Sequence, residues 1–320
     1  MNKHREGQPL KSLFSRRSPL DFLSRFIILR GYFVILALAL PISCSRLTHD
    51  MEDDDFAEVE TVDSLDTRMR ISQICRINDI QLAQVRTLDL FIFKDNPLRS
   101  LESHERILDF ETDDDGSMTF DRKLPEGPKL AVAVANSPWK FNTAALGSYD
   151  SIEQLEFELG DDDQDYPIMS GEGTFEAGRK TELSISPLMC RVVLRKVTNN
   201  LSNYRRLEDP RVFLSNVNPK AELLRTSGFR PSEIVDSVGL SPLPYDIGMF
   251  PQTVNKALYC YPNDSPSETA GTPRTILVLD CEVKGSSCRY TAPLPPLARN
   301  STTFIDLTVD DIANWSSEFF

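Results

Sequence analysis

The sequence contains few of the residues on which most enzyme active sites depend. Only three histidines occur in 320 residues. One of them, His49, lies in an acidic stretch, so a Ser–His–Asp or Cys–His arrangement would rest on His104. Because His104 lies in the polar segment 100–106, we interpret it as an ordinary surface histidine. The sequence therefore predicts a protein that is not an enzyme, with no catalytic residues, no cofactor and no small-molecule substrate.

Basic residues are also in the minority. The chain has 35 Lys and Arg against 48 Asp and Glu, a net charge of −13. Surfaces that bind nucleic acids need clustered Lys and Arg to neutralise phosphates. We therefore expect no nucleic-acid partner.

Motifs for metal ions and nucleotides are incomplete. The acidic clusters 113–115 and 161–165 lack the twelve-residue spacing, glycine and closing glutamate of an EF-hand, so we interpret them as solvated loop charge and predict no metal site. The glycine-rich segment 171–178 lacks the following helix that would direct backbone amides at a phosphate. This segment is typical of a hairpin turn.

The most apolar run of the chain, 31–42, is short. Twelve residues in a helix span about 18 Å, less than the roughly 30 Å of a hydrocarbon core. Residues 1–43 carry seven basic and two acidic side chains, a net charge of +5, which leaves −18 for the remainder. A basic segment before a short apolar run is typical of a secretory signal peptide, although a buried core helix is the alternative. We predict a signal peptide over 1–43.

Cys44 follows the apolar run directly after a serine, which resembles a bacterial lipobox, although Pro41 departs from the usual leucine. Cleavage before Cys44 would leave its thiol and amino group to carry acyl chains, and two or more chains anchor a protein stably. An ordinary cleaved signal without lipid is the alternative. The acidic segment 44–65 cannot bury apolar area and is interpreted as a solvated lipoprotein tether.

From about residue 66 the hydrophobic pattern has a period of two. Met69, Ile71, Cys75 and Ile77 alternate with polar residues, and further short strands follow at intervals of 8–15 residues. Only 151–159 has a helical pattern. The sequence predicts a mainly all-β protein of two sandwich domains, 66–186 and 187–320, with the boundary at Pro187 and the C-terminal tail in the second domain.

The cysteines leave the disulfide state open. Without Cys44 five remain, so at least one is unpaired within the monomer. Cys281 and Cys288 are expected to face each other across a hairpin. An exported location permits a bridge there, but cysteines on neighbouring strands often stay reduced.

Several segments in the same order are similar to one family. They are 88–95, 130–136, 259–263 and 293–300, the last followed by the strand 303–309. They resemble the fimbrillins of the Bacteroidales and, within that group, the fimbrium anchoring subunits. The resemblance implies two transthyretin-like β-sandwich domains with little helix, held at the cell outer membrane by lipid on Cys44 and exposed at the surface. It also implies a fimbrillin shaft subunit as partner, and a role in attaching the filament base and limiting fimbrial length.

The resemblance further implies that subunits join by β-strand addition. Polymerising relatives lose their first strand to an arginine-specific protease, whereas we expect residues 66–78 of this chain to stay in place, even though Arg68, Arg70 and Arg76 are potential cleavage sites. The tail 310–320 is then a candidate donor strand, and its candidate donor residues are Ile312, Trp315, Phe319 and Phe320. Alternatively, the tail packs on its own second domain.

The alternative function is that of a surface glycan- or ligand-binding lipoprotein adhesin.

Overall fold

The computed structural model describes residues 63–78, 83–265, 273–311 and 314–320. The predicted signal peptide, Cys44 and Ile312 lie outside these ranges. Within them, none of the helices is long and apolar enough to cross a membrane. The elements in chain order are β1 (Ser64–Gln73), β2 (Leu88–Lys94), β3 (Leu101–Ile107), β4 (Met118–Pro125), β5 (Pro128–Ala135), α1 (Tyr149–Glu153), β6 (Glu156–Glu158), a 3₁₀ turn (Leu159–Asp161), β7 (Met169–Glu176), β8 (Thr181–Pro187), β9 (Cys190–Asn199), β10 (Glu208–Ser215), β11 (Lys220–Glu222), β12 (Val238–Pro242), β13 (Gln252–Cys260), β14 (Ile276–Val283), β15 (Ser286–Pro293), β16 (Thr302–Asp311) and β17 (Asn314–Phe319).

The all-β prediction is confirmed, and the first half of the fold is one seven-stranded sheet with the order β3-β2-β5-β7-β8-β1-β4. The period of two holds in β1 and beyond, because Met69, Ile71, Cys75 and Ile77 are all buried. β5 is an interior strand that is apolar on both faces from residue 130 to residue 135, as its continuous hydrophobic run predicts. These side chains form one core with those of the strands on either side.

The second half contains two four-stranded sheets, ordered β12-β10-β14-β15 and β13-β9-β16-β17. Their inward residues, such as Leu214, Leu279, Tyr290 and Ile305, form a second core. Two short strands, β6 and β11, pair with each other and connect the loop after α1 to the segment after β10. Burial of alternate residues on most strands, and of both faces of β2 and β5, therefore accounts for the two cores.

The predicted helix over 151–159 is wrong over most of its length. α1 covers only Tyr149–Glu153, and Ser148 precedes it as the N-cap residue. Phe157 is fully buried in β6, where it pairs with Ala221 of β11. Burial of this aromatic ring and pairing of the backbone override the weak helical pattern.

The interpretation of His104 as an ordinary surface residue in a polar connection is also wrong. Residues 101–107 form the edge strand β3, and the His104 side chain is only 13% exposed. Its Nε2 lies 2.9 Å from Oδ1 of Asp89, which is fully buried, and Arg106 Nη1 lies 3.4 Å from the other oxygen. Burial raises the pKa of Asp89, and the hydrogen bond with His104 and the charge of Arg106 oppose that shift. His104 and Arg106 therefore stabilise the buried Asp89 carboxylate within the sheet.

The glycine-rich segment is a strand rather than a turn. Gly171 lies in β7, and a Cβ atom there would approach the Ser184 carbonyl oxygen of β8 to 1.9 Å. The reversal comes later, at Gly178, whose φ of 82° favours glycine. In the acidic cluster 113–115, Asp115 forms an ion pair with Arg70. Among the described residues, no group of three or more His, Cys, Asp and Glu side chains is placed to hold a metal ion.

Candidate strand-addition interface

The first strand lies inside the first sheet rather than at its edge. β1 pairs antiparallel with β4 from Ser64 to Ile71 and parallel with β8 from Met69 to Gln73. Both edges of β1 are therefore hydrogen-bonded, and its inward side chains belong to the core. Without β1, two strand edges and a row of apolar side chains would be exposed. We call the position between β8 and β4 the β1 slot.

An ion-pair group fixes the outward face of β1. The Arg70 guanidinium lies 2.5 Å from Asp115 Oδ2 and 3.2 Å from Glu182 Oε1, and it donates to Ser117 Oγ at 2.8 Å. Hydrogen bonds from Ser117, together with Arg70, hold the pKa of Asp115 below its usual range. Arg70 thus connects β1 to the turn before β4 and to β8.

Two side chains from the second half hold the chain where it leaves β1. Asn300 Oδ1 accepts a hydrogen bond from the Arg76 amide at 2.8 Å, and Asn300 Nδ2 donates to the Ile74 carbonyl at 2.7 Å. Thr302 Oγ1 donates to the Arg76 carbonyl at 2.7 Å. We call Asn300 and Thr302 the β1 clamp. They connect positions 226 residues apart in sequence, so β1 is fixed by the last part of the fold.

The neighbouring Arg299 ties the same region to β7 and β8. Burial lowers the pKa of its guanidinium to about 10. Its nitrogen atoms donate to backbone carbonyls at 2.7–3.2 Å, which replaces the lost hydration with hydrogen bonds. The acceptors are the carbonyls of Ser170, Ser186, Pro187, Leu223 and Arg225, together with Ser170 Oγ.

The C-terminal tail forms the edge strand β17. Within the described ranges its hydrogen-bonded neighbour is β16 alone, with Ile305 opposite Phe319 and Val309 opposite Trp315. Phe304 and Phe320 exchange two backbone hydrogen bonds of 3.0 Å each. The far edge of β17 is thus available for pairing with another strand.

The side chains of β17 and of Phe320, the residue after it, divide between an inner and an outer face. On the inner face, Trp315 Nε1 donates to the Thr291 carbonyl at 2.6 Å, and its ring meets Tyr290 edge-on with centroids 5.5 Å apart. On the outer face, Phe320 is 61% exposed and lies under the Arg195 guanidinium at 4.3 Å. The tail is therefore attached to its own sandwich by the ladder with β16, by Trp315 and by the contact of Phe320 with Arg195.

Two of the four predicted tail residues, Trp315 and Phe319, thus lie on β17, and Phe320 follows directly after it. The structure shows them packed on their own chain, and their donation to a neighbour stays a prediction. Sequence reasoning missed Asn300 and Thr302, because nothing in their local pattern indicates a partner more than 200 residues away. No metal-ligating cluster accompanies them in the described part of the chain.

No known protein-family profile matches the chain, and no curated protein is similar to it in sequence. Solved structures do share its fold. A protein assigned to cell adhesion from Parabacteroides distasonis has a TM-score of 0.58 at 11% identity, over 81% of this chain and 96% of that chain. Fimbrilin (fimA) from Porphyromonas gingivalis has a TM-score of 0.55 at 11% identity, over 77% and 90%.

The tip fimbrial protein Mfa3 from Porphyromonas gingivalis has a TM-score of 0.50 at 13% identity, over 80% of this chain and 98% of that chain. At such identities the likeness concerns the fold. The described strands of this chain therefore adopt the fold of fimbrial and cell-adhesion proteins.

Proposed function

We propose that this chain is a lipid-anchored fimbrial subunit of the outer membrane that attaches the base of a filament to the cell surface. Three features support the proposal: the predicted lipidation site Cys44 behind a signal peptide, an acidic tether over 44–65, and a fold shared with fimbrial proteins. The partner is a fimbrillin shaft subunit, joined by β-strand addition.

The filled β1 slot is the observation that carries the proposal. A subunit inside a strand-exchanged filament must both accept a strand and donate one. Here the slot is occupied by the chain's own β1, which the β1 clamp and Arg70 hold at its end and on its outer face. A subunit with a filled slot offers a strand but accepts none, so its addition ends the filament. The same feature accounts for both attachment at one end and a limit on length.

The tail is the strand that such a subunit has to offer. Release of β17 breaks one ladder and the contacts of Trp315, and it leaves one edge of β16 unpaired. Pairing of the tail with a shaft subunit would restore a ladder of the same length, and Trp315 and Phe319 would supply alternate side chains for register. Exchange of one ladder for another keeps the free-energy cost of release low.

A reversible cross-link tests donation without shortening the chain. Thr308 and Ser316 are Cα partners on β16 and β17. Opposing residues of an antiparallel pair lie about 4.5–5.5 Å apart, within the span of a disulfide. In the variant Thr308→Cys/Ser316→Cys, oxidation should release shaft protein into the medium and reduction should restore its retention. The control is Thr308→Cys alone. Full retention by the oxidised double variant would refute donation of the tail.

Replacement of Cys44 tests the lipid anchor. Cys44→Ala removes the acceptor thiol, so we expect detached fimbriae in the medium and loss of lipid labelling. A glycan- or ligand-binding adhesin would leave the fimbriae on the cell. Structural support for that alternative is weak, because Trp139 stacks on Phe157 and Trp315 packs on Tyr290, in different halves of the fold. Fimbriae that stay attached in Cys44→Ala would contradict the anchoring role.

A further inference from the structure

Two cysteines face each other inside the second sandwich. Cys190 begins β9 and Cys260 ends β13, and the two residues are Cα partners in this antiparallel pair. Their sulfur atoms are 3.4 Å apart, and the Cys190 thiol also donates to the Cys260 carbonyl at 3.3 Å. Both side chains are fully buried in the second core. In the structure both thiols are free.

The other described cysteines are arranged differently. Cys281 and Cys288 are Cα partners on β14 and β15, as expected, and both thiols are free. The Cys288 thiol donates to the Ser286 carbonyl at 3.6 Å, within its own hairpin. Cys75 belongs to the core of the first half. The sulfur atoms of Cys190 and Cys260, by contrast, lie in direct contact with each other.

We propose that Cys190 and Cys260 form a disulfide in the exported protein. Directly opposed residues in an antiparallel pair have the Cα separation that a disulfide requires, and closing the sulfur gap needs side-chain rotation rather than strand movement. The inference rests on export, which the N-terminal segment 1–43 supports, because disulfides persist outside the cytoplasm.

The reaction is thiol–disulfide exchange with a disulfide of the exported compartment, either a small molecule or an oxidoreductase. One thiol loses its proton and attacks that disulfide, forming a mixed disulfide and releasing one reduced thiol. The second thiol of the pair, again as thiolate, displaces the other. The Cys190–Cys260 bond forms, both protons leave, and two electrons reduce the oxidant to two thiols.

Once the protein has folded, its structure hinders thiol–disulfide exchange at this pair. The contact with Cys260 and burial hold the pKa of the Cys190 thiol well above its ordinary value, so the nucleophilic thiolate is scarce. Neither sulfur is accessible to an oxidant in the folded chain. We therefore expect the bond to form while the second sandwich is folding and to resist reduction afterwards. It joins positions 70 residues apart, around β10, β11 and β12.

The test uses the full chain recovered from the cell surface, which verifies export independently. The protein is denatured with excess iodoacetamide, digested without reductant and analysed by mass spectrometry. We expect a peptide pair linked through Cys190 and Cys260, lighter by two hydrogen atoms than the free peptides. Surface-exposed protein in which both cysteines are fully alkylated would overturn the proposal, as would linkage of either one to another cysteine.

Matched variants separate the bond from general effects on folding. Cys281→Ser should keep the linked peptide, whereas Cys190→Ala should lose it. For wild type, unfolding and refolding with reductant should lower Tm by about 4–16 °C, the range expected for loss of a long-loop disulfide. The variant Cys190→Ala/Cys260→Ala should show no such dependence on reductant. An equal shift in that double variant would assign the effect to other cysteines and refute the proposal.

Discussion

Removal of the Asn300 side chain is the most direct test of how the second half holds β1. Asn300 is 8% exposed, and it both donates to the Ile74 carbonyl and accepts from the Arg76 amide. Asn300→Ala deletes both hydrogen bonds, each worth about 1 kcal/mol net, and leaves two backbone groups poorly satisfied. Alanine at a φ of 54° adds about 1 kcal/mol of backbone strain. We expect a total loss of about 3 kcal/mol in the free energy of unfolding.

Two control variants separate the lost hydrogen bonds from the strain. Asn203 is exposed and has a similar φ of 61°. Asn203→Ala should therefore lower the free energy of unfolding only by the backbone strain, about 1 kcal/mol. Asn300→Gly keeps the left-handed conformation without strain but still lacks the hydrogen bonds, so it should remain about 2 kcal/mol less stable than wild type. Urea denaturation of the full chain measures all three.

Hydrogen exchange gives a local measurement of the same change. The Arg76 amide donates to Asn300, so its exchange in Asn300→Ala should accelerate about tenfold or more, which corresponds to at least 1.4 kcal/mol. Amides of β14, on the other sheet of the second half, should be affected only through global unfolding. If Asn300→Ala matched Asn203→Ala in stability and left exchange at residues 74–76 unchanged, the β1 clamp would contribute nothing.

Three further changes follow from single features. The Asp162 Oδ2 atom is buried, and burial raises the pKa of this carboxyl to about 7. Between pH 4 and pH 7 the folded protein therefore holds a proton that the unfolded chain releases. The free energy of unfolding should fall by about 2–4 kcal/mol over this range. Asp162→Asn should remove most of this fall in pH-dependent urea denaturation, and an unaltered slope would contradict the assignment. Gly171→Ala places a Cβ against β8 and should cost more than about 3 kcal/mol by thermal denaturation, while Gly160→Ala, with open space around it, should be nearly neutral. Arg299→Lys replaces a planar guanidinium with several donors by one ammonium, so urea denaturation should show a loss of about 3 kcal/mol in the free energy of unfolding. A loss below about 1 kcal/mol would contradict the role of Arg299.

Local pattern was sufficient to predict most strands. The alternation around Met69 and Ile71 reflects one buried face, and the apolar run of β5 reflects burial on both faces. The pattern failed where tertiary contacts outweighed it. Residues 101–107 look polar because β3 is an edge strand whose His104 and Arg106 compensate the buried Asp89.

The candidate interface was only partly predictable for a related reason. The apolar residues of the tail are visible in the sequence, because a solvated terminus would not normally carry Trp315, Phe319 and Phe320. The β1 clamp is not visible, since Asn300 is a turn residue by local criteria and its role depends on a segment that the fold brings to it. Periodicity indicates which face of a strand is buried, but it does not indicate which distant residues contact that strand.

The parallel pairing of β1 with β8 also joins segments that lie far apart along the chain. β1 is synthesised first, yet its parallel partner follows 112 residues later and Asn300 follows 226 residues after Ile74. Contacts this distant in sequence form slowly, because the loop-closure entropy is lost before they stabilise the chain. We therefore expect the β1 slot to be completed late, which would give a foreign strand time to compete with β1 for the same edges. Because β1 belongs to the same chain as its slot, its effective concentration there is high, which favours the intramolecular outcome.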